Sequence, residues 1–307
     1  MCISPYTKVD YLRHELTHVP CGKCFECVRK KKLGWEIRLS RAAAWSDSAF
    51  FCLLSFDEEH DPIDAYDHKY NYLVIKKFIA RLRKRIERNF GKHIKLKYYI
   101  ASEYGELKDR LHFQALFFIK GYQFTWLEFA SVLHDYYIFD RVTGRTFNQR
   151  TLPDYVVNAP KIYDKHRHKV DRYKVTPPSW NEGFIGNVYN IKFDKKRMKY
   201  TLKYIQKQYN KSFFSRFRMS EILSPEEVED IKSSWSKDDI ETVPSIAYNG
   251  RRVPIPYYWT TLLFDLNTRY EIRRHLDYIN LHEDVNLWLY KSKQKLKQQI
   301  LFENSLN

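Results

Sequence analysis

The chain has 307 residues, enough for one large domain or for a domain with extensions, and its hydrophobic content of 44% is ordinary for a globular protein. Its formal net charge of +16 is not ordinary and indicates a polyanionic partner. Nucleic acid is favoured over a membrane, because no apolar run approaches the roughly 18 residues that span a bilayer. Secretion is not expected, because the N-terminus lacks an apolar signal segment.

Four of the five cysteines fall near the start of the chain, and their odd number without an export signal indicates a reducing cytosol. Cys21, Cys24 and Cys27 form two overlapping Cys-x-x-Cys spacings, so three thiolates can reach one tetrahedral ion, and Cys2 can supply the fourth ligand. We predict a structural Zn²⁺, with iron–sulfur ligation or unligated thiols as the alternatives. Cys52 lies in an apolar stretch and is predicted to be a buried small hydrophobe.

A basic run follows the cysteines and consists of Arg29, Lys30, Lys31 and Lys32. It is either a phosphate-binding segment ordered by the zinc or a solvated charge run. Residues 33–44 are predicted to form a helix, and residues 50–56 a fully buried strand.

Residues 73–89 show apolar residues at helical spacing, which predicts an amphipathic helix with one buried face. Its other face is basic and includes Arg81 and Arg85. That face is predicted to contact DNA, with a solvated helix surface as the alternative.

Residues 96–103 and 111–119 are predicted to pair as a β-hairpin around a polar turn. Alternate residues of a strand share a face, so His112 and Gln114 point the same way. If the hairpin places Glu103 opposite His112, then a carboxylate, an imidazole and an amide oxygen converge. Mg²⁺ and Mn²⁺ accept such an oxygen-rich set. The alternative is an amphipathic hairpin whose polar face is exposed to solvent.

The segments that follow complete the predicted fold. Residues 124–139 are predicted to be an amphipathic helix, residues 140–180 a long loop or insertion, and residues 184–193 another strand. His166 and His168 in the loop are either exposed or extra metal ligands. The pattern predicts an α+β fold, in which a central, mainly antiparallel sheet has flanking helices.

The next predicted helix, residues 195–208, repeats a Tyr-x-x-Lys unit. Tyr200 and Tyr204 are i,i+4 neighbours and share one face, as do Lys203 and Lys207. A tyrosine can attack a phosphodiester, and a nearby lysine would favour its phenolate.

The last hundred residues are predicted to be mostly helical. Ser224 and Pro225 are typical of a helix start, and residues 271–299 of one or two helices. A basic, proline-punctuated aromatic stretch between them includes Arg251 and Arg252, which are predicted to bind DNA. No Gly-x-x-x-x-Gly-Lys-Ser/Thr loop occurs, so nucleotide hydrolysis is not expected.

Taken in order, these motifs resemble the HUH family of rolling-circle replication initiators. The strand His112-Phe113-Gln114, the acidic Glu103 nine residues upstream and the later Tyr-x-x-Lys helix carry the resemblance. The Cys-Gly-Lys-Cys-Phe-Glu-Cys run and the Glu-Tyr-Gly triplet are similar to those of microvirus initiators, especially gokushoviruses. That family usually has a second histidine where this chain has Gln114.

The resemblance implies an HUH nuclease core over residues 35–212, after a Cys-rich segment at 1–34 and before a helical region at 213–307. It implies metal-dependent nicking and rejoining of single-stranded DNA through a 5′-phosphotyrosine, with Tyr200 and Tyr204 as nucleophiles. It favours Glu103 over Glu106 as the third metal ligand. The implied partners are the replication origin, a host helicase and a polymerase, in the cytoplasm of a bacterial host.

Two other functions fit the sequence. One is an HUH transposase or relaxase, although the cysteine cluster is unlike those enzymes. The other is a non-catalytic, zinc-stabilised nucleic-acid-binding protein, which the charge, cysteines and aromatic residues would equally suit.

Overall fold

The structure is a computed structural model. It describes residues 6–10, 15–57, 59, 68–104, 111–148, 161–164, 166–176, 178–192, 195–202, 215–218, 223–239, 242–281, 294, 296–301 and 304. By its internal contacts the chain divides into two units. The sheet unit comprises residues 46–194 and 213–218, and the terminal unit comprises residues 1–45, 195–212 and 219–307.

The strands and helices of the described residues have the following bounds. The strands are β1 (Tyr6–Asp10), β2 (Glu15–Val19), β3 (Ser48–Ser55), β4 (Lys95–Tyr104), β5 (Leu111–Lys120), β6 (Tyr137–Asp140), β7 (Thr146–Asn148), β8 (Ile162–Tyr163), β9 (Lys169–Val170), β10 (Tyr173–Thr176), β11 (Tyr189–Asn190), β12 (Ser215–Arg218), β13 (Ser245–Tyr248) and β14 (Arg251–Pro254). The helices are α1 (Phe25–Trp45), α2 (His68–Phe90), α3 (Trp126–His134), α4 (Lys195–Leu202), α5 (Pro225–Ser233), α6 (Tyr257–Leu263) and α7 (Leu266–Leu281).

A five-stranded sheet forms the centre of the sheet unit, in the order β11-β3-β5-β4-β12. Every neighbouring pair in it is antiparallel. Together with the helices beside it, this sheet confirms the predicted α+β fold with a mainly antiparallel sheet. The hairpin of β4 and β5 is confirmed as well, with ends within two residues of the prediction.

One face of the central sheet packs against α2 and α3 in a single apolar core. Phe113 and Phe117 of β5 alternate into this core, where Phe78 of α2 lies with its ring 6.1 Å from that of Phe117. Burial of each such side chain stabilises the fold by about 1.5–3 kcal/mol. Cys52 is fully buried there, as predicted, and burial raises the pKa of its thiol. The apolar stripe predicted for α2 is confirmed.

The helix predicted for residues 124–139 is wrong over its last five residues. Thr125 caps α3 in a capping box with Glu128, but the helix ends at His134 and Asp135 is extended. The next residues form β6, because a run of aromatic and β-branched side chains favours a strand. Aromatic residues at helical spacing continue past His134, so the amphipathic pattern of the sequence did not mark the end of α3.

Residues 140–180, predicted as a long loop or insertion, contain short strands where a loop without strands was expected. β6 pairs with β7 and with β10 in a three-stranded sheet, and β8 pairs with β9. Trp180 is 1% exposed at the centre of the core, where its ring meets Phe56 and Phe78. The strand predicted for residues 184–193 is shorter than expected and is reduced to β11 and a bridge between Leu54 and Ile185.

The terminal unit has its own small core. Ile37 of α1 lies in it with Ile231, Ile246, Ile255 and Trp259. Ser224 caps α5 as predicted, in a capping box with Glu227. Besides helices, this region contains the antiparallel hairpin of β13 and β14. No helix among the described residues is both long and apolar enough to cross a bilayer.

Candidate functional site

The register of β4 and β5 places Glu103 directly opposite His112. Residues directly opposite in an antiparallel pair share a face, with their Cβ atoms about 4.5–5.5 Å apart. Gln114 lies two residues along β5 and therefore on the same face as His112. This is the pairing that the predicted ligand set requires.

β3 adds a residue that the sequence analysis missed. On its other side β5 pairs with β3, so that His112 lies opposite Ser55 and Gln114 opposite Leu53. Ser55, His112 and Glu103 therefore form one row across three strands. His112 is half-buried, whereas Gln114 is 3% exposed. The sequence could have indicated Ser55, because it is a polar residue at the end of an otherwise apolar strand.

The end of β3 beside this row is held by a neighbouring segment. Trp180 Nε1 donates to the Ser55 carbonyl at 3.1 Å, and the Ser55 amide donates to the Phe184 carbonyl at 2.9 Å. Gly183 has φ +153°, and a Cβ there would lie 2.3–2.6 Å from backbone atoms of residues 55–57. Only glycine permits so close an approach.

The donor chemistry of Glu103, His112 and Gln114 fits a hard divalent cation. A carboxylate, an imidazole and an amide oxygen suit Mg²⁺ or Mn²⁺ and leave coordination positions for phosphate and water. The backbone of Glu103 is described, while Glu106 lies outside the described residues. The assignment of Glu103, His112 and Gln114 as metal ligands remains a prediction.

The predicted tyrosine helix is described as far as Leu202. Tyr200 is 47% exposed on α4, whereas Met198 and Leu202 are buried on another side of that helix. Tyr204, Lys203 and Lys207 lie outside the described residues. The roles of these four residues remain predictions.

The cysteine cluster lies in the terminal unit, at the start of α1. The sulfur atoms of Cys21, Cys24 and Cys27 all lie within 4.8 Å of one another, and those of Cys21 and Cys27 are 4.0 Å apart. A tetrahedral ion with Zn–S bonds of about 2.3 Å would place its sulfurs about 3.8 Å apart. The Cys24 amide also donates to the Cys21 sulfur at 3.3 Å. The cluster can therefore bind a metal such as zinc, whereas Cys2 lies outside the described residues.

The basic residues predicted to bind DNA differ in their surroundings. Lys30 and Lys31 on α1 are exposed, and Lys32 is half-buried. Arg251 of β14 is exposed, whereas Arg252 forms an ion pair with Asp230 at 3.2 Å.

In the sheet unit, two of the predicted DNA-binding arginines also have partners in the protein. Arg81 donates to the Ser179 carbonyl and pairs with Glu182 at 3.5 Å. Arg85 is 7% exposed and donates to the carbonyls of Val132 and Asp135. Burial lowers the pKa of both guanidinium groups.

Residues 49–209 match the family of Replication-associated protein ORF2. This match covers more than half of the chain, and the chain therefore belongs to that family. The membership confirms the resemblance to phage replication proteins that the motifs indicated.

Individual relatives support the same assignment. The chain is 31% identical to Replication-associated protein ORF4 of Chlamydia phage 1, over 33% of this chain and 24% of that protein. It is 31% identical to Replication-associated protein ORF2 of Spiroplasma virus 4, over 37% of this chain and 38% of that protein. The match to Replication-associated protein VP4 of Bdellovibrio phage phiMH2K is 29% identical over 32% and 31% of the two chains.

The aligned part thus spans between 24% and 38% of the length of these relatives. No solved structure matches the chain.

Proposed function

We propose that this protein initiates rolling-circle replication by nicking and rejoining single-stranded DNA through a tyrosine ester. The observation that carries the proposal is the register that sets Glu103 opposite His112, with Gln114 on the same face. Membership of a family of replication-associated proteins supports it, as does the net charge of +16.

In the proposed reaction, a tyrosine oxygen forms a bond to phosphorus while the bond from phosphorus to the 3′-oxygen breaks. The phenol loses its proton, and the departing 3′-oxygen gains one to become a free hydroxyl that can prime synthesis. An ordinary phenol has a pKa of about 10, so the lysine one turn away in Tyr-x-x-Lys would favour the phenolate. Mg²⁺ or Mn²⁺ on Glu103, His112 and Gln114 would supply positive charge at the non-bridging phosphate oxygens.

The two tyrosines have a further proposed role. Tyr200 and Tyr204 are one helical turn apart in the sequence, so the second tyrosine could cleave the origin again, forming its own ester and freeing a new 3′-hydroxyl. The 3′-hydroxyl that attacks the first ester would reseal the circle. We also propose a host helicase and polymerase as partners in the cytoplasm of a bacterial host, as for the initiators that the motifs resemble.

The test is a nicking assay on circular single-stranded DNA of the parent genome with Mn²⁺, on a denaturing gel that retains protein–DNA adducts. We expect the native chain to form an adduct, and the Tyr200→Phe, Tyr204→Phe double variant to form none. The single variants identify the first nucleophile. Tyr163→Phe, which changes a tyrosine that is 70% exposed on β8, is the matched control and should react like the native chain.

Metal dependence is tested in the same assay. Removal of a direct ligand in His112→Ala should lower adduct formation about 100-fold or more, whereas His166→Ala at an exposed position should not. Tight, salt-sensitive binding of DNA without any adduct from the native chain would reject the enzyme. It would support instead the zinc-stabilised binding protein, which the cysteine cluster favours.

A further inference from the structure

A groove with a volume of about 790 Å³ lies within the sheet unit, between α2 and the three-stranded sheet. Its size is within the range of about 300–1,000 Å³ that is usual for ligand sites. The groove is separate from the candidate metal ligands Glu103, His112 and Gln114. His112 and Gln114 lie on the face of β5 opposite to Phe113, which packs in the core with α2.

The helix wall of the groove is a stripe of four cations. Arg81, Lys84, Arg85 and Arg88 line it at spacings of i, i+3, i+4 and i+7, so they lie on one side of α2. Like charges at these spacings destabilise a helix. A bound anion would remove that repulsion.

The strand wall combines aromatic rings with further cations. Tyr137, Phe139 and Arg141 alternate along one face of β6 and its continuation, and Lys174 of β10 lies directly opposite Phe139. The residue between the two rings, Ile138, is buried. Phe139 is 39% exposed, which leaves its ring accessible from the groove.

Two of the lining cations are fixed in place. Arg85 is held by two backbone carbonyls, and its guanidinium lies 4.7 Å from the ring centre of Tyr137. Arg81 is held by Ser179 and Glu182. The groove is therefore built around a buried, oriented charge rather than around mobile surface lysines alone.

The other four cations are exposed: Lys84, Arg88, Arg141 and Lys174. Within the part of the chain that the structure describes, none of these four forms a salt bridge with a carboxylate, and no carboxylate is among the described lining residues. These four cations, with Arg85 and two aromatic side chains, constitute a site for a polyanion that also carries flat, stackable groups, whereas the charge of Arg81 is already paired with Glu182.

We propose that this groove binds single-stranded DNA, with phosphates on the cations and a base stacked on Phe139. Grooves that hold unpaired strands combine backbone cations with aromatic platforms in this way. A duplex is disfavoured, because its bases are already stacked on one another. The choice of DNA rests on the proposed function, whereas the requirement for an unpaired polyanion comes from the groove itself.

The test uses the full chain and fluorescence anisotropy of a labelled oligothymidylate over a range of salt concentrations. The groove variant carries Lys84→Gln, Arg88→Gln, Arg141→Gln and Lys174→Gln. Its matched control removes four other exposed cations of the same unit, through Lys76→Gln, Lys92→Gln, Lys95→Gln and Lys169→Gln. Circular dichroism confirms that both variants are folded.

For single strands, the slope of log K against log salt is about −0.7 for each neutralised phosphate. If each of its four cations contacts one phosphate, the slope of the groove variant should be less steep than that of the native chain by roughly three. The slope of the control variant should remain close to that of the native chain. An equal loss of slope in both variants would mean that only net charge matters and would overturn the proposal.

Stacking is tested by Phe139→Ala, with Tyr163→Ala as the control at another exposed ring. Loss of one base–aromatic stack should weaken oligothymidylate binding about tenfold, whereas the control should not change it. Unchanged binding by Phe139→Ala, or an equal effect on duplex DNA, would reject the single-strand site.

The groove and the nicking chemistry can fail independently. His112→Ala should lower adduct formation about 100-fold or more but leave the salt slope unchanged. Loss of slope in the groove variant without any native adduct would support the groove and reject the nuclease. An adduct from the native chain, with an unchanged salt slope in the groove variant, would support the nuclease and reject the groove.

Discussion

Gly183 sets how closely the segment before β11 approaches the end of β3, where Ser55 stands beside His112. A methyl group at Gly183 would overlap backbone atoms of both Ser55 and Asp57. The unfavourable φ alone costs about 1–3 kcal/mol. We therefore expect Gly183→Ala to lower the free energy of unfolding by more than this and to weaken metal-dependent nicking.

Urea denaturation measures that change, with Gly144→Ala as the control. Gly144 also has a positive φ, of +69°, but a Cβ there would meet open space. Its substitution should cost only about 1–2 kcal/mol for the left-handed backbone. Similar losses for the two variants would show that the close approach at Gly183 is unimportant.

Asp140 organises the turn after β6 and so supports the strand wall of the groove. The Arg172 guanidinium, which donates to both carboxylate oxygens at 3.0 and 3.1 Å, holds the pKa of Asp140 well below its usual range. The Val142 amide and the Thr143 hydroxyl lower the pKa further. Because the folded pKa lies below the unfolded value of about 3.9, this stabilisation is complete above that pH and is lost as the pH falls towards the folded pKa.

We expect Asp140→Asn to lower the Tm at pH 7 and the difference from the native chain to shrink below about pH 4. Thermal unfolding between about pH 7 and pH 2 measures it. Asp171→Asn, at a residue whose side chain is 77% exposed and 3.9 Å from Lys161, should change the Tm little at any pH. A difference for Asp140→Asn that stayed constant with pH would contradict the assigned role of the carboxylate.

At the scale of elements, the cysteine cluster spans the start of α1, and Cys27 lies in the first turn of that helix. Cysteine sulfurs at this spacing are ligands that structural zinc accepts. We expect the native chain to carry about one zinc ion and Cys27→Ser to lose it, with affinity reduced at least about 100-fold. Elemental analysis after dialysis measures this.

Cys52→Ser provides the control for the zinc prediction, since Cys52 is fully buried in the other unit and should leave the metal content unchanged. Iron with sulfide in place of zinc would favour the iron–sulfur alternative. Zinc retained by Cys27→Ser would show that this cysteine is not a ligand.

The elements best predicted from the sequence were those with a clear local signal. β5 contains an apolar run that follows a polar turn sequence, and α2 has an unbroken apolar stripe. The boundary between α3 and β6 was missed because aromatic residues continue across it, and the deciding features are the cap at Thr125 and the extended backbone of Asp135. The three-stranded sheet was missed because its key contact joins Asp140 to Arg172, 32 residues away, and no local period reveals such a pair.

At the scale of the whole molecule, the sequence predicted the pairing of Glu103 with His112 but only the helix side of the groove. Arg81 and Arg85 were found on a basic helix face, since a helix displays its charges at fixed spacings. Tyr137, Phe139 and Lys174 could not be assigned to that site, because their positions depend on how a distant strand, β10, pairs with β6.

The division into two units has a consequence for the order of synthesis. The small core that buries Ile37 of α1 draws its other members from residues after 219, and the sheet unit is completed by β12 only at Arg218. α1 therefore emerges from the ribosome long before the apolar residues that bury Ile37 have been synthesised. The sheet unit should fold first on the nascent chain, while α1 exposes apolar surface that chaperones can bind until the last segment is made.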